Sequence, residues 1–342
     1  MRFLPTGEQT DFVRSVRGLL AASDTPTAVR AWAAGDHGPG LAIWSRLAGT
    51  GLFALAAPEP YGGAGPLPVE LSLALVECGR AGVPGPLVET AAVAVLLSEL
   101  ADEPLARQFL PDLVTGETLA TLTLPDGGPY ALDADAATHC FTVSPTGALR
   151  RTDGAPLAPL DAGDGDSEGG VLRSTDPARR LSRPAPGGEL LATGPRVTAA
   201  AGAAGRWARL LTAAQCLGVG EELLARTVEH TKRRTQFGVP IGSFQAVKHR
   251  LADTLLGLEF ARPLVWAAAL STEPGDIAAA KLTAGEAAYA AARSALQLHG
   301  AVGYTEELDL SLWLRKARPL RDAWGTPSAC RAEVLRSRER QP

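Results

Sequence analysis

Apolar positions recur at helical spacing through the first third of the chain. Phe12, Val13, Val16, Leu19 and Leu20 follow Thr6-Gly7-Glu8-Gln9, where Thr and Gln stand three apart as in a capping box, so an amphipathic helix is predicted to start here. Leu41-Ala42-Ile43-Trp44-Ser45-Arg46-Leu47 predicts another, with Gly49 as its C-terminal cap, and Pro58-Glu59-Pro60-Tyr61-Gly62-Gly63 reads as a turn-rich break. Val69 to Gly79 and Val88 to Leu100 carry the spacing of buried helices. From about Thr118 the period shortens to two. Leu119, Thr121 and Thr123 alternate with Ala120, Leu122 and Leu124, β-branched residues recur at Phe141-Thr142-Val143, and Pro, Gly and Asp punctuate the chain up to residue 195. Asp161 to Gly170 is almost entirely Asp, Gly, Ser and Glu and reads as an exposed loop. From Val197 onward the pattern is helical again, broken near Pro240-Ile241-Gly242, Pro274-Gly275 and Gly300 to Gly303.

The order is therefore helical, β, helical, an α+β multidomain chain without internal repeats. The expected divisions are an N-terminal α-helical domain over 1–116, a shortened, degenerate middle β domain over 117–195, and a C-terminal part over 196–342 whose apolar stripes are best satisfied by a four-helix bundle. At 342 residues and 46% apolar composition the chain can bury a large core. A formal charge of -4 leaves no basic footprint, which argues against nucleic acid and an anionic membrane as partners. Met1-Arg2-Phe3-Leu4-Pro5 lacks the apolar stretch of a leader, and no apolar run is long enough to span a bilayer, so a cytoplasmic protein is expected. Cys78, Cys140, Cys216 and Cys330 form no C-x-x-C pair, fit neither a zinc site nor a disulfide framework, and read as small buried hydrophobes.

Two passages near the end carry more. One runs Arg233-Arg234-Thr235-Gln236-Phe237-Gly238-Val239-Pro240-Ile241-Gly242-Ser243-Phe244-Gln245, and the other is Gln297-Leu298-His299-Gly300-Ala301-Val302-Gly303-Tyr304, leading to Gly325-Thr326. Together they resemble the acyl-CoA dehydrogenase family, and the helical-β-helical order is that family's order. The resemblance implies an FAD shared across a subunit interface, its isoalloxazine held by one chain and its adenosine diphosphate end by the neighbour. Arg234 matches the arginine that pairs with the pyrophosphate, a task suited to a planar cation with several donors. Phe237 and Phe244 match positions that pack the adenosine, Gln245 follows in the same contact segment, and Gln297 with Gly300 matches the segment that the pyrophosphate approaches. Ala301 stands where the family has a second glycine. Taken singly these residues are bland, since an arginine before a turn is commonly a solvated helix end; their joint spacing makes the argument.

The resemblance also exposes a gap. Members remove the α-proton of an acyl-CoA thioester with a glutamate while hydride leaves the β-carbon for the flavin. The usual position of that glutamate, just before the final Gly-Thr, holds Trp324. A minority of members carry it at the start of the first bundle helix, and here that neighbourhood reads Arg206-Trp207-Ala208-Arg209-Leu210. Glu306 and Glu307 are more simply read as helix N-terminal acids. The family's flavin-cradling turn is reduced to Thr123-Leu124-Pro125-Asp126-Gly127-Gly128-Pro129. No residue of this chain is thus assigned as catalytic, and Trp324 is expected to plug a vestigial acyl site. Some bacterial members, notably those acting on steroid side chains, are α2β2 assemblies of a base-bearing and a base-lacking chain, and Glu77 to Pro86 and Gly303 to Glu306 resemble the latter. That implies a base-bearing acyl-CoA dehydrogenase partner that binds most of the acyl-CoA, with electron-transferring flavoprotein as an acceptor. Two other readings stay open: a self-sufficient flavoenzyme with an unusual base, and a ligand-binding or structural homologue with no redox role.

Overall fold

The computed structural model describes residues 4–153, 167–168, 170–172 and 174–339. The N-terminal part is six α-helices: α1 Gly7–Ala21, α2 Thr25–Ala33, α3 Gly38–Ala48, α4 Pro68–Ala81, α5 Leu87–Glu99 and α6 Glu103–Thr115. The expected capping box opens α1: the Thr6 N–H donates to Gln9 Oε1 at 2.9 Å, and the Gln9 N–H to Thr6 Oγ1 at 3.2 Å. Gly49 follows α3 but keeps a helical φ of -61°; the left-handed residue of that turn is Gly51, at φ +78°. α5 is the central helix, buried at every position from Leu87 to Leu97.

Two small sheets follow. β1 Ala120–Thr123, β3 His139–Val143, β4 Ala148–Asp153 and β8 Glu189–Thr193 form one sheet in the order β1-β3-β4-β8. β1 runs parallel to β3, with Ala120 opposite His139, and the other pairs are antiparallel. The second sheet, β2-β7-β6-β5, joins β2 Ala131–Leu132, β7 Leu181–Ser182, β6 Val171–Leu172 and β5 Ser167–Glu168. The expected loop from Asp161 to Gly170 lies largely outside the described residues, but Ser167–Glu168 depart from it, because pairing with β6 makes them an edge strand. Thr90 docks the first sheet onto α5: its hydroxyl donates to Ala120 O at 2.9 Å and accepts from Ala120 N at 3.1 Å.

The C-terminal part comprises α7 Pro195–Arg233, a hairpin of β9 Thr235–Gln236 and β10 Val239–Pro240, then α8 Gln245–Ser271, α9 Pro274–His299, α10 Leu310–Asp322 and α11 Pro327–Glu339. α7, α8, α9 and α10 make up the bundle, and α11 lies against α9. α4 approaches α7 so closely that glycine is required on both sides: a Cβ on Gly79 would lie 2.3 Å from Gln215 O, and one on Gly218 1.9 Å from Val76 O. Across the same seam runs an ion network. Arg17 donates to Glu77 at 2.7 and 2.9 Å, Arg80 bonds Glu221, and Arg262 reaches Glu221 at 2.8 Å. The large buried indoles are satisfied too, with Trp44 donating to Gly116 O at 2.9 Å and Trp313 to Arg80 O at 2.9 Å. All four cysteines are buried and unpaired. Among the described residues no helix is long and apolar enough to cross a membrane, and no cluster could hold a metal ion.

Candidate functional site: an interior cavity and an exposed face

An interior cavity lies where the N-terminal helices, the sheets and the bundle meet. α4 contributes Gly79, α5 Glu89, the segment after β2 Asp133, the turn before β7 Arg179, and α10 Lys316, with Trp324 closing one wall. The cavity measures about 20 Å³, space for a single water. Trp324 sits in the loop between α10 and α11 at φ +54°, a left-handed angle that costs a residue with a Cβ about 1 kcal/mol or more. Its neighbours hold it there. The indole Nε1–H donates to Glu89 Oε1 at 2.8 Å, and Arg209 Nε donates to Trp324 O at 3.0 Å. The buried Lys281 ammonium donates to Arg321 O at 2.8 Å and Gly325 O at 3.3 Å. A Cβ on Gly127 would come within 2.9 Å of the Trp324 ring, so the indole fills the space over the turn at residues 124–128.

The polar groups of this cavity answer one another. Burial raises the Glu89 carboxyl above its ordinary value, against the pull of Arg179 and of the Trp324 bond. Burial likewise pushes Asp133 up to about 7, although Trp32 Nε1–H and the Arg180 N–H donate to its Oδ1 at 3.1 and 3.2 Å. Lys316 Nζ donates to Asp176 Oδ2 at 2.9 Å, with both residues buried. Glu89 escaped the sequence reading. Its signal was a lone carboxyl in an otherwise apolar helix, Leu87-Val88-Glu89-Thr90-Ala91, where an ionisable group needs a specific partner. That partner lies 235 residues away.

The motif residues lie elsewhere, on the outer end of the bundle. Arg234, Phe237, Phe244, Gln245, Gln297, Gly300 and Ala301 are all exposed. The hairpin after α7 aligns Gln236 with Val239, and Phe237 and Gly238 at its tip both take positive φ, +55° and +80°. Phe237 is 92% exposed and meets Phe244 edge-on, with ring centroids 6.2 Å apart. Arg234 O accepts the Ile241 N–H at 2.8 Å, which folds the hairpin back onto the start of α8. Gly300 turns the chain at the end of α9 with φ +63°. The apolar face continues along α8 through Leu255, Leu256 and Phe260, the last 70% exposed, and Tyr304 is 78% exposed. Glu306 is on the surface, paired with Arg315 at 2.6 Å. A larger cavity of about 330 Å³ opens between α1, α4 and α8 and includes none of the motif residues.

This arrangement belongs to a known family. Residues 6–117 match the acyl-CoA dehydrogenase N-terminal domain and residues 199–337 the acyl-CoA dehydrogenase C-terminal domain. The chain is a member of the acyl-CoA dehydrogenase family, whose enzymes are FAD-dependent oxidoreductases. Among its relatives is the acyl-CoA dehydrogenase IpdE2 of Mycobacterium tuberculosis, 35% identical over 98% of this chain and 97% of that protein. The fold is shared with butyryl-CoA dehydrogenase from Megasphaera elsdenii (23% identity, TM-score 0.82, covering 99% of this chain and 100% of the other). It is shared equally with the ChsE4-ChsE5 complex from Mycobacterium tuberculosis (23% identity, TM-score 0.82, 100% of both chains). FAD is the cofactor that this family membership brings. The chemistry of the outer face suits its adenosine diphosphate end, with a guanidinium for phosphate and two exposed rings for a purine. The cavity beside Trp324, with space for one water, has no room for a tricyclic isoalloxazine.

Proposed function

We propose that this chain is the supporting subunit of a heteromeric acyl-CoA dehydrogenase, lending the diphosphate and adenosine half of an FAD site to a base-bearing partner. The observation that carries the reading is the contrast within one molecule. The interior is filled by Trp324 bonded to Glu89, while Arg234, Phe237 and Phe244 stand uncovered on the outer face. A carboxylate must reach carbon to take its proton, and Trp324 offers only an N–H, already given to Glu89. In this reading Arg234 neutralises the diphosphate, Phe237 and Phe244 flank the adenosine, and Gln245, Gln297, Gly300 and Ala301 complete the same exposed face. The exposed apolar residues of α8 provide area for assembly with a second chain. The relative ChsE4-ChsE5 is itself named as a two-component complex, which supports an unlike pair here.

The test is co-expression with base-bearing relatives, followed by a flavin count per chain and an assay with an acyl-CoA and an artificial electron acceptor. The expected result is a colourless chain alone and a yellow, active complex. Turnover of a thioester by the isolated chain with its own flavin overturns the reading. A second reading, a self-sufficient flavoenzyme with an unusual base, has one observation in its favour: Glu89 is a buried carboxyl of raised proton affinity that lines the interior cavity. If the lone chain is active and Glu89→Gln abolishes that activity, this second reading replaces the first.

A further inference from the structure

Two imidazoles join the ends of the helices that bear the motif residues. His230 lies in the last turn of α7 and His299 closes α9, and their rings stack with centroids 4.0 Å apart and planes 26° from parallel. His230 O accepts the Arg234 N–H at 2.8 Å, while Gln297 and Gly300 flank His299 in sequence. The stack therefore clasps one motif segment to the other.

Both helices present their C-terminal ends here, and this is the wrong polarity for an anion. Carbonyl ends carry partial negative charge, the reverse of the helix N-terminus that usually receives phosphate. Positive charge must come from side chains. Arg234 supplies one fixed charge, whereas Lys232 and Arg233 are drawn to Glu229 at 3.0 and 3.7 Å. A doubly esterified diphosphate brings about two negative charges at neutral pH.

We propose that the His230–His299 stack is part of the diphosphate site and takes up a proton when the diphosphate binds. The proposal rests on reading this face as the diphosphate half-site. His299 Nδ1 lies 2.8 Å from Ala295 O, and since a carbonyl only accepts, Nδ1 carries the proton of the neutral ring and Nε2 is left to gain one. In the free chain both rings are biased towards neutrality. Burial, the opposing ring and Arg234 lower His230, and burial lowers His299 against its bond to Ala295. An arriving anion reverses that balance, and at this ring separation the pair holds one added proton, since two would repel. The other titratable and charged groups on the elements around the pair include Glu229, Lys232 and Arg233 on α7, Arg293 on α9, Lys248, His249 and Arg250 at the exposed start of α8, and Glu306 and Glu307 beyond the turn that follows α9.

ADP-ribose is a suitable probe, because its diphosphate is esterified at both ends and does not titrate near neutral pH. Calorimetry of the complex with its partner, stripped of flavin, in buffers of different ionisation enthalpy reads the protons taken up per ligand. The expected result is net uptake, with affinity falling about tenfold as pH rises by about two units through the imidazole range. The double variant His230→Phe/His299→Phe keeps an aromatic stack and is expected to bind without uptake or pH dependence, while His249→Asn leaves both unchanged. Binding with no proton uptake overturns this proposal and leaves the diphosphate reading intact. Absence of ADP-ribose binding at any pH overturns the diphosphate reading, and this proposal with it.

Discussion

The interior around Trp324 and the outer face around Phe237 use the same device for opposite ends. Each places an aromatic residue at a left-handed φ, +54° and +55°, where the chain would ordinarily favour glycine or asparagine. Trp324 is turned inward, hydrogen-bonded to Glu89, and its backbone is pinned by Arg209. Phe237 is turned outward and packs on little but Phe244. Strain held in place by many contacts serves the chain's own packing. Strain at an exposed tip brings the free chain no packing in return, and it makes sense where another surface completes it.

This comparison can be broken from either side. The largest expected effect is inside: Trp324→Ala should lower the stability of the isolated chain by about 3 kcal/mol in chemical denaturation, the low end for a large aromatic because the residue is only half-buried. A much smaller loss means that the indole does not fill the cavity as described. Outside, Arg234→Ala should weaken FAD retention in the assembled complex about thirtyfold, on the roughly 2 kcal/mol scale of a hydrogen bond to a charged group, with the lone chain's stability unchanged. Flavin release measured by fluorescence reads this directly.

A pH series sharpens the interior half. Because the Asp133 carboxyl is raised by burial to about 7, its contribution to stability is most favourable below its ordinary 3.8 and is lost as pH climbs towards 7. Asp133→Asn should therefore gain on the parent chain between about pH 4 and about pH 7, then hold a constant difference above that. Urea unfolding across the range checks the sign, and a parent chain that strengthens relative to Asp133→Asn over that window refutes it. The smallest effect belongs to the face: Phe237→Ser should change the stability of the lone chain by under about 0.5 kcal/mol while impairing co-purification with a partner, as sedimentation would record.

Much of the fold was legible because it is local. Thr6 and Gln9 announce α1, Pro274 and Gly300 bracket α9, and the spacing of apolar residues marks α4 and α5. What the sequence hid is long-range. The parallel pairing of β1 with β3 depends on a crossover that period-two alternation does not encode, and the Ser167–Glu168 edge strand is hidden in a composition that reads as loop. The face residues were visible as a motif because they fall in two short contiguous runs, one through the hairpin into α8 and one at the end of α9. Trp324 was visible as a departure from that motif, but its carboxyl partner Glu89 was not, since the two meet only when α5 docks against the loop after α10.

The rod-like α7 carries Arg209 on the interior side and Arg234 just past its outer end. The twenty-five residue steps from one to the other span about 38 Å at helical rise, several times the reach of a charge through physiological salt. Substitutions at the two ends should then behave additively, each leaving the other's free energy untouched. Such independence allows a lineage to give up chemistry at one end without disturbing recognition at the other.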